Sequence, residues 1–76
     1  MTANELHILK HHIGAVVKKH REKMGVSQLN MGLDIEMSAN QIGRIERAES
    51  NPTIATLFTI ANYFEFDIIE FFQYND

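Results

Sequence analysis

Two serines, Ser27 and Ser38, each stand directly before a short segment of apolar residues at helical spacing. A serine in that place accepts hydrogen bonds from the free N–H groups of the first helical turn, so each is predicted to begin a helix. Gln41, three residues after Ser38, completes the spacing of a capping box. The two predicted helices cover about residues 28–35 and 39–48 and leave only a few residues for the connection. This spacing predicts a helix–turn–helix, in which the second helix can enter a DNA major groove.

The remaining sequence predicts three more helices around this pair. Thr2 and Glu5 have capping-box spacing, and Gly25 is placed to end the first helix, about residues 3–24, with a left-handed cap. Gly14 lies inside that helix, where glycine is tolerable if another backbone must come close. Thr53 is predicted to cap a fourth helix, and a short fifth helix is expected from Ile68 to about residue 73. We therefore expect one all-α domain over residues 1–76, a compact five-helix fold with the helix–turn–helix at helices 2 and 3.

The charge distribution bears on whether such a domain can approach DNA. The net charge is −3, but all seven lysines and arginines lie in the first 47 residues, together with five acids, which gives that part +2. The rest of the chain carries five acids and no base. This asymmetry is compatible with an oriented approach to phosphate, although an ordinary acidic domain has the same overall composition.

Composition excludes several other classes of protein. The chain has no cysteine, and hence no disulfide or thiolate metal site. It has neither an apolar run of membrane-spanning length nor a signal-peptide segment at its start, so we expect a soluble cytoplasmic protein without membrane contact. Because no nucleophilic or glycine-rich phosphate motif occurs and the serines are explained as caps, we expect no enzyme, no cofactor and no small-molecule ligand.

The third helix has two distinct faces. At about 100° per residue, Ile42 and Ile45 share one side, whereas Asn40, Arg44 and Arg47 cluster on the other. Asparagine can bond adenine, and arginine can bond guanine, through paired hydrogen bonds. The same pattern also fits the solvated side of an amphipathic helix. The short turn and the paired caps favour DNA recognition.

The chain resembles the phage repressor and Cro-like helix–turn–helix family, which includes xenobiotic-response-element regulators and restriction–modification controller proteins. The resemblance runs from Ile13 to Phe72 and depends on the order of many individually weak elements. They are Arg21, Gly25-Val26-Ser27-Gln28, Ser38, Ile42, Arg44-Ile45-Glu46-Arg47, Asn51-Pro52-Thr53, Leu57, Ile60-Ala61 and Asp67-Ile68-Ile69-Glu70-Phe71-Phe72.

The resemblance implies roles for particular positions. Gln28 would bind a DNA phosphate at a helix N-terminus, where free N–H groups favour anions. Arg47 and the loop as far as Asn51 would contact the DNA backbone. Arg21 and Glu46 would form a semi-buried ion pair between the first and third helices. The expected DNA-binding set is Gln28, Ser38, Ala39, Asn40, Gln41, Arg44, Arg47 and Asn51, with Ala39, Asn40, Gln41 and Arg44 reading bases.

The sequence departs from the family pattern at four positions. Gly32 stands where alanine is common, and Glu36 occupies the inter-helix turn where glycine is common. Ala48 replaces a frequent glycine after the third helix, and His20 falls where an apolar core residue is usual. Because Glu36 adds a negative charge near the expected DNA-facing rim, we expect modest binding by one subunit and useful affinity only from two.

The C-terminal segment 63–74 is very apolar for the end of so small a domain, which predicts a dimerisation region. The expected interface residues are Tyr63, Phe66, Ile69 and Phe72; the alternative is that they cover the chain's own core. His7 and His11 have a spacing that can chelate a metal, but no further ligand completes a site. The sequence thus predicts a homodimeric, sequence-specific transcriptional regulator that binds double-stranded DNA at a palindromic operator. The alternative is a protein-interaction module, antitoxin-like or an adaptor, that has lost DNA binding.

Overall fold

The computed structural model describes residues 1–74, which fold into four α-helices and a terminal 3₁₀ helix without any β-strand in that range. The helices are α1 (Ala3–Met24), α2 (Gln28–Ile35), α3 (Ala39–Glu46) and α4 (Ile54–Phe64), and the 3₁₀ helix covers Ile68–Phe72.

The predicted helix boundaries come from local capping. Thr2 and Glu5 form a capping box on α1, and Gly25 ends that helix with φ 74°. Ser27 accepts a hydrogen bond from the backbone N–H of Asn30, and Thr53 accepts one from that of Thr56. Each cap satisfies a donor that the first turn of a helix leaves free, so these short helices begin where the sequence predicts.

One core holds all five elements together. Each element contributes one fully buried large side chain, so no helix is an appendage to the others. The five are Val17 in α1, Met31 in α2, Ile42 in α3, Ile60 in α4 and Phe71 in the 3₁₀ helix. Apolar burial of this kind is the main source of stability in a domain without disulfides.

Gly14 allows α1 and α3 to pack with their backbones in direct contact. A Cβ atom at this position would lie 2.6 Å from the carbonyl oxygens of both Ile45 and Glu46. Another backbone thus comes close to this glycine, which is the condition under which a glycine is tolerable inside the helix. The backbone that approaches belongs to the C-terminal turn of α3, so the position of that helix depends on Gly14.

The prediction of five α-helices was wrong at the C-terminus. Residues Ile68–Phe72 form a 3₁₀ helix, in which Asp67 caps the N–H of Ile69 and its carbonyl accepts from Glu70. A segment of five residues offers too few i→i+4 bonds to propagate an α-helix. The third helix is also shorter than predicted: Arg47 is its cap, and Ala48 adopts φ 61°, which turns the chain out of the helix.

The 3₁₀ helix is fastened to α1 through Glu70. Its carboxylate binds Lys19 Nζ at 3.3 Å and His20 Nε2 at 2.9 Å. Partial burial raises the pKa of this carboxyl, but the bonds from His20 and Lys19 outweigh it, so the net pKa is lowered. The His20 ring also stacks on Phe66, with centroids 4.2 Å apart. A histidine thus takes a core-edge position, because it has both an aromatic neighbour and a carboxylate partner there.

Candidate nucleic-acid interface

Helices α2 and α3 are joined by a turn of two residues, Glu36 and Met37, before the Ser38 cap. Glu36 ends α2 in the left-handed conformation, with φ 60° and ψ 45°. The N–H of Met37 then donates to the carbonyl of Gly32 at 2.8 Å. Ser38 and Gln41 form the predicted capping box at the start of α3. The helix–turn–helix predicted from the serine caps is confirmed.

Gly32 and Glu36 together account for the shape of the turn. A Cβ atom on Gly32 would collide with the backbone carbonyl oxygen of Met37, so glycine lets the turn fold closely over the end of α2. Glu36 adopts the left-handed backbone conformation that this turn requires although it is not glycine. That conformation costs a residue with a side chain about 1 kcal/mol. Glu36 is also exposed, so its charge faces solvent at the rim of the motif.

The two faces of α3 are divided as the periodicity predicts. Ile42 and Ile45 are buried in the core. Asn40, Gln41 and Arg44 are exposed, and we call these three residues the outer face of α3. Ala39 is half-buried beside them, and Ser38 is occupied by capping. The outer face carries amide and guanidinium groups that can bond base edges.

A bonded network of three side chains fixes α3 to α1 and α2. Arg21 Nε lies 2.6 Å from Glu46 Oε2, and Arg21 Nη2 donates to Glu46 Oε1 at 3.1 Å. Gln28 Nε2 also donates to Glu46 Oε1, at 3.1 Å. The side chains of Arg21 and Glu46 are only 14% and 5% exposed, and the hydrogen bond to Glu46 raises the pKa of Arg21. This bidentate pair, with Gln28 attached to it, defines the orientation of the last turn of α3.

Gln28 and Arg47 meet above Gly43. A Cβ atom at Gly43 would lie 2.8 Å from Arg47 Nη1 and 3.3 Å from Gln28 Oε1. The two side chains expected to contact phosphate are therefore neighbours, and a glycine in α3 makes room for both. An amide group and a guanidinium group therefore lie side by side next to Gln28, the first residue of α2.

The loop after α3 contacts Arg44 in that helix and Arg47 at its cap through Glu49. Arg44 Nη2 donates to the carbonyl oxygen of Glu49 at 3.1 Å, and Arg47 Nε donates to its carboxylate at 3.1 Å. Glu49 lies in the loop expected to contact the DNA backbone, but it was not named among the expected DNA-binding residues. An acid two positions after Arg47 is visible in the sequence, but only the path of the loop brings it onto both guanidinium groups.

The same loop borders a cleft of about 210 Å³ between α3 and the start of α4. Asn51 lines it and is exposed. The Ser50 hydroxyl is buried beside it and has no hydrogen-bond partner within residues 1–74. The other lining residues include Gln41, Arg44, Thr53 and Thr56. The outer face of α3 is thus continued by polar groups as far as the N-terminus of α4.

The four residues expected at a dimer interface separate into two pairs. Tyr63 donates to Asp34 at 2.6 Å, and the hydrogen bond raises the pKa of the phenol. Phe66 packs against Phe71, with centroids 5.1 Å apart, as well as against His20. Ile69 and Phe72 remain 50% and 43% exposed. Of these four side chains, Ile69 and Phe72 are the two that the described residues leave about half uncovered.

The histidine pair is close but incomplete as a metal site. The rings of His7 and His11 lie edge to face, with centroids 4.4 Å apart. Within residues 1–74, no group of three or more histidine, aspartate or glutamate side chains is arranged to hold a metal ion.

Across the same residues, no helix combines the length and the apolar composition that crossing a membrane requires.

Comparison with known proteins agrees with this geometry. The model of the helix-turn-helix family HTH_3 matches residues 17–71, which include both helices of the motif and the loop after α3. The crystal structure of an HTH_3 family transcriptional regulator from Vibrio cholerae superposes with a TM-score of 0.79 at 36% sequence identity. That match covers 88% of this chain but 38% of the other, so this chain corresponds to less than half of that protein. A search of curated protein sequences gave no match. On the family match over most of its length, the chain belongs to the HTH_3 helix-turn-helix family.

Proposed function

We propose that this protein is a sequence-specific, DNA-binding transcriptional regulator that acts as a homodimer on a palindromic operator. The observation that carries the proposal is the outer face of α3. Asn40, Gln41 and Arg44 are exposed on one side of a helix whose other side is anchored by Ile42 and Ile45. Such a helix presents base-reading groups on a rigid support, as major-groove recognition requires.

Phosphate contacts would fix the helix in the groove. Gln28, the first residue of α2, and Arg47 flank Gly43 of α3. Backbone N–H groups at the N-terminus of α2 favour an anion. Asn51 and the loop after α3 would contact the same strand further along. These contacts carry no sequence information, but they set the register from which Asn40 and Arg44 reach the bases.

Dimerisation would use Ile69 and Phe72. The 3₁₀ helix that carries them is held by buried Phe71 and by Glu70, so the two side chains project from a fixed support. A two-fold axis through this surface would pair identical patches and place the two α3 helices in successive major grooves, about 34 Å apart.

The salt dependence of DNA binding tests the proposed function. Binding through phosphates releases counterions, so the affinity for duplex DNA must fall steeply as salt is raised. Selection of bound sequences from a random pool would then recover an inverted repeat. A protein that binds neither random nor selected duplexes at low salt would contradict the proposal and favour a protein-interaction module instead.

The change Arg44→Ala is expected to cost about 1–3 kcal/mol of binding at one position of each half-site and to relax base preference there. The reason is that arginine on the outer face would supply a paired hydrogen bond to a single base. Fluorescence anisotropy on operators substituted at each position measures the effect. An equal loss on every sequence would assign Arg44 to phosphate.

The change Ile69→Asp is expected to give a folded monomer, because it places a charge in the proposed two-fold interface while the side chain is half-exposed in the single chain. Sedimentation equilibrium measures the mass. Leu33→Asp is the matched control, since Leu33 is 70% exposed on α2. A wild-type protein that sediments as a monomer, or an Ile69→Asp variant that stays dimeric, would contradict this interface.

A further inference from the structure

Glu49 contacts Arg44 and Arg47, the two arginines that the proposed interface uses. Its carboxylate accepts from Arg47 Nε at 3.1 Å, and its backbone carbonyl accepts from Arg44 Nη2 at 3.1 Å. The side chains of Arg47 and Glu49 are 54% and 53% exposed, so the pair lies at the surface beside Gln28 and Gly43 rather than in the core.

A carboxylate and a phosphate present the same kind of ligand to a guanidinium group. Both offer negatively charged oxygens that accept its N–H donors, and both bind arginine through charge-assisted hydrogen bonds. The Glu49 carboxylate thus occupies a donor of Arg47 that a DNA phosphate would use.

The local charge balance makes this competition significant. Residues 27–51 contain two arginines, Arg44 and Arg47, against four acids, and one of those acids, Glu46, is already paired with Arg21. Because so few basic side chains lie near the motif, an acid that binds one of them removes a large share of the available affinity for phosphate.

We propose that Glu49 acts as a built-in phosphate substitute that restrains DNA binding. In the free protein its carboxylate holds Arg47, and DNA binds only by displacing it. The inference depends on the proposed function, because it concerns the same interface. Since phosphate contacts are independent of sequence, Glu49 lowers the affinity for all duplexes and leaves discrimination to the outer face of α3.

The test is a double-mutant cycle between Glu49→Gln and Arg47→Gln. Glutamine keeps the length of the side chain and the backbone carbonyl, and it replaces the carboxylate with a neutral amide. Affinity is measured by anisotropy with a labelled random-sequence 20-bp duplex at about 0.15 M salt, where screening limits remote charge effects. Glu65→Gln is the matched control, because Glu65 is an exposed acid that ends α4 and does not belong to the loop after α3. Thermal melting confirms that each variant is folded.

Glu49→Gln is expected to tighten binding by about threefold to fivefold, the upper part of the range that loss of an exposed competing ion pair allows. In the Arg47→Gln background the same change should alter affinity by less than about twofold, as should Glu65→Gln in the wild type. An equal gain with and without Arg47, or no gain above the Glu65→Gln control, would overturn the role of Glu49 and leave the proposed DNA binding intact. If no variant binds duplex DNA, the proposed function and this inference both fall.

Discussion

Replacing Glu46 with alanine is expected to lower the free energy of unfolding by about 3–5 kcal/mol. Glu46 accepts hydrogen bonds from Arg21 Nε and Nη2 and from Gln28 Nε2, and its side chain is 5% exposed. Without it, the Arg21 guanidinium, itself 14% exposed, would remain as a largely buried charge without its carboxylate. A chain of 76 residues has a total stability of roughly 4–11 kcal/mol, so this loss would remove a large share of it.

Urea denaturation followed by circular dichroism measures the loss, and Glu49→Ala is the matched control. Both glutamates bind an arginine, but the Arg47–Glu49 pair is more than half exposed on both sides. Removal of that exposed pair should change stability by less than about 1 kcal/mol. If the two alanine variants have the same urea midpoint, the buried network does not stabilise the fold as its geometry indicates.

The change Gly14→Ala is expected to destabilise the domain by about 3 kcal/mol, near the upper end for overpacking. Alanine is the better helix former by about 1 kcal/mol, so helix propensity alone predicts the opposite sign. The added methyl group, however, would meet two backbone carbonyls of α3 at 2.6 Å, and backbone cannot move aside as a flexible side chain can. Helix α1 would have to separate from α3, which opens the core around Val17 and Ile42.

Ala15→Gly is the control for propensity, because Ala15 is the next residue of α1 and is exposed. It should cost about 1 kcal/mol without any change in helix packing. Thermal melts of both variants are compared with the wild type. A Gly14→Ala protein that melts above the wild type would show that α1 and α3 can separate without loss, contrary to the close approach described here.

Local chemistry made most of the fold predictable. Ser27, Ser38 and Thr53 each begin a helix by accepting a hydrogen bond from the backbone N–H three residues further along the chain. Gly25 ends α1 because glycine readily adopts the left-handed conformation. The end of α3, which depends on another residue type, was missed. Ala48 takes a left-handed φ of 61° without being glycine, so nothing in its side chain marks the early end of α3.

The candidate site was predictable where it follows helical periodicity and not where it depends on side-chain partners. Exposure of Asn40 and Arg44 opposite Ile42 follows from about 100° per residue. Other contacts depend on side-chain rotamers, which no spacing rule specifies. They are the hydrogen bond between Gln28 and Glu46 and the contacts of Glu49 with Arg44 and Arg47. For the same reason the apolar C-terminus did not reveal that Phe66 packs on His20 while Ile69 stays uncovered.

The capping box of α3 has a consequence for how this domain can diverge. Gln41 bonds the backbone N–H of Ser38 at 2.8 Å, so its side chain is committed to starting the helix as well as to the outer face. A substitution at Gln41 that removes this acceptor leaves the Ser38 N–H without its side-chain partner. Asn40 is exposed next to it and belongs to neither the box nor the buried core. If the outer face of α3 reads bases as proposed, a lineage that acquires a new operator could exchange Asn40 for other helix-forming residues at little cost in stability, whereas a change at Gln41 would lose the bond to the Ser38 N–H.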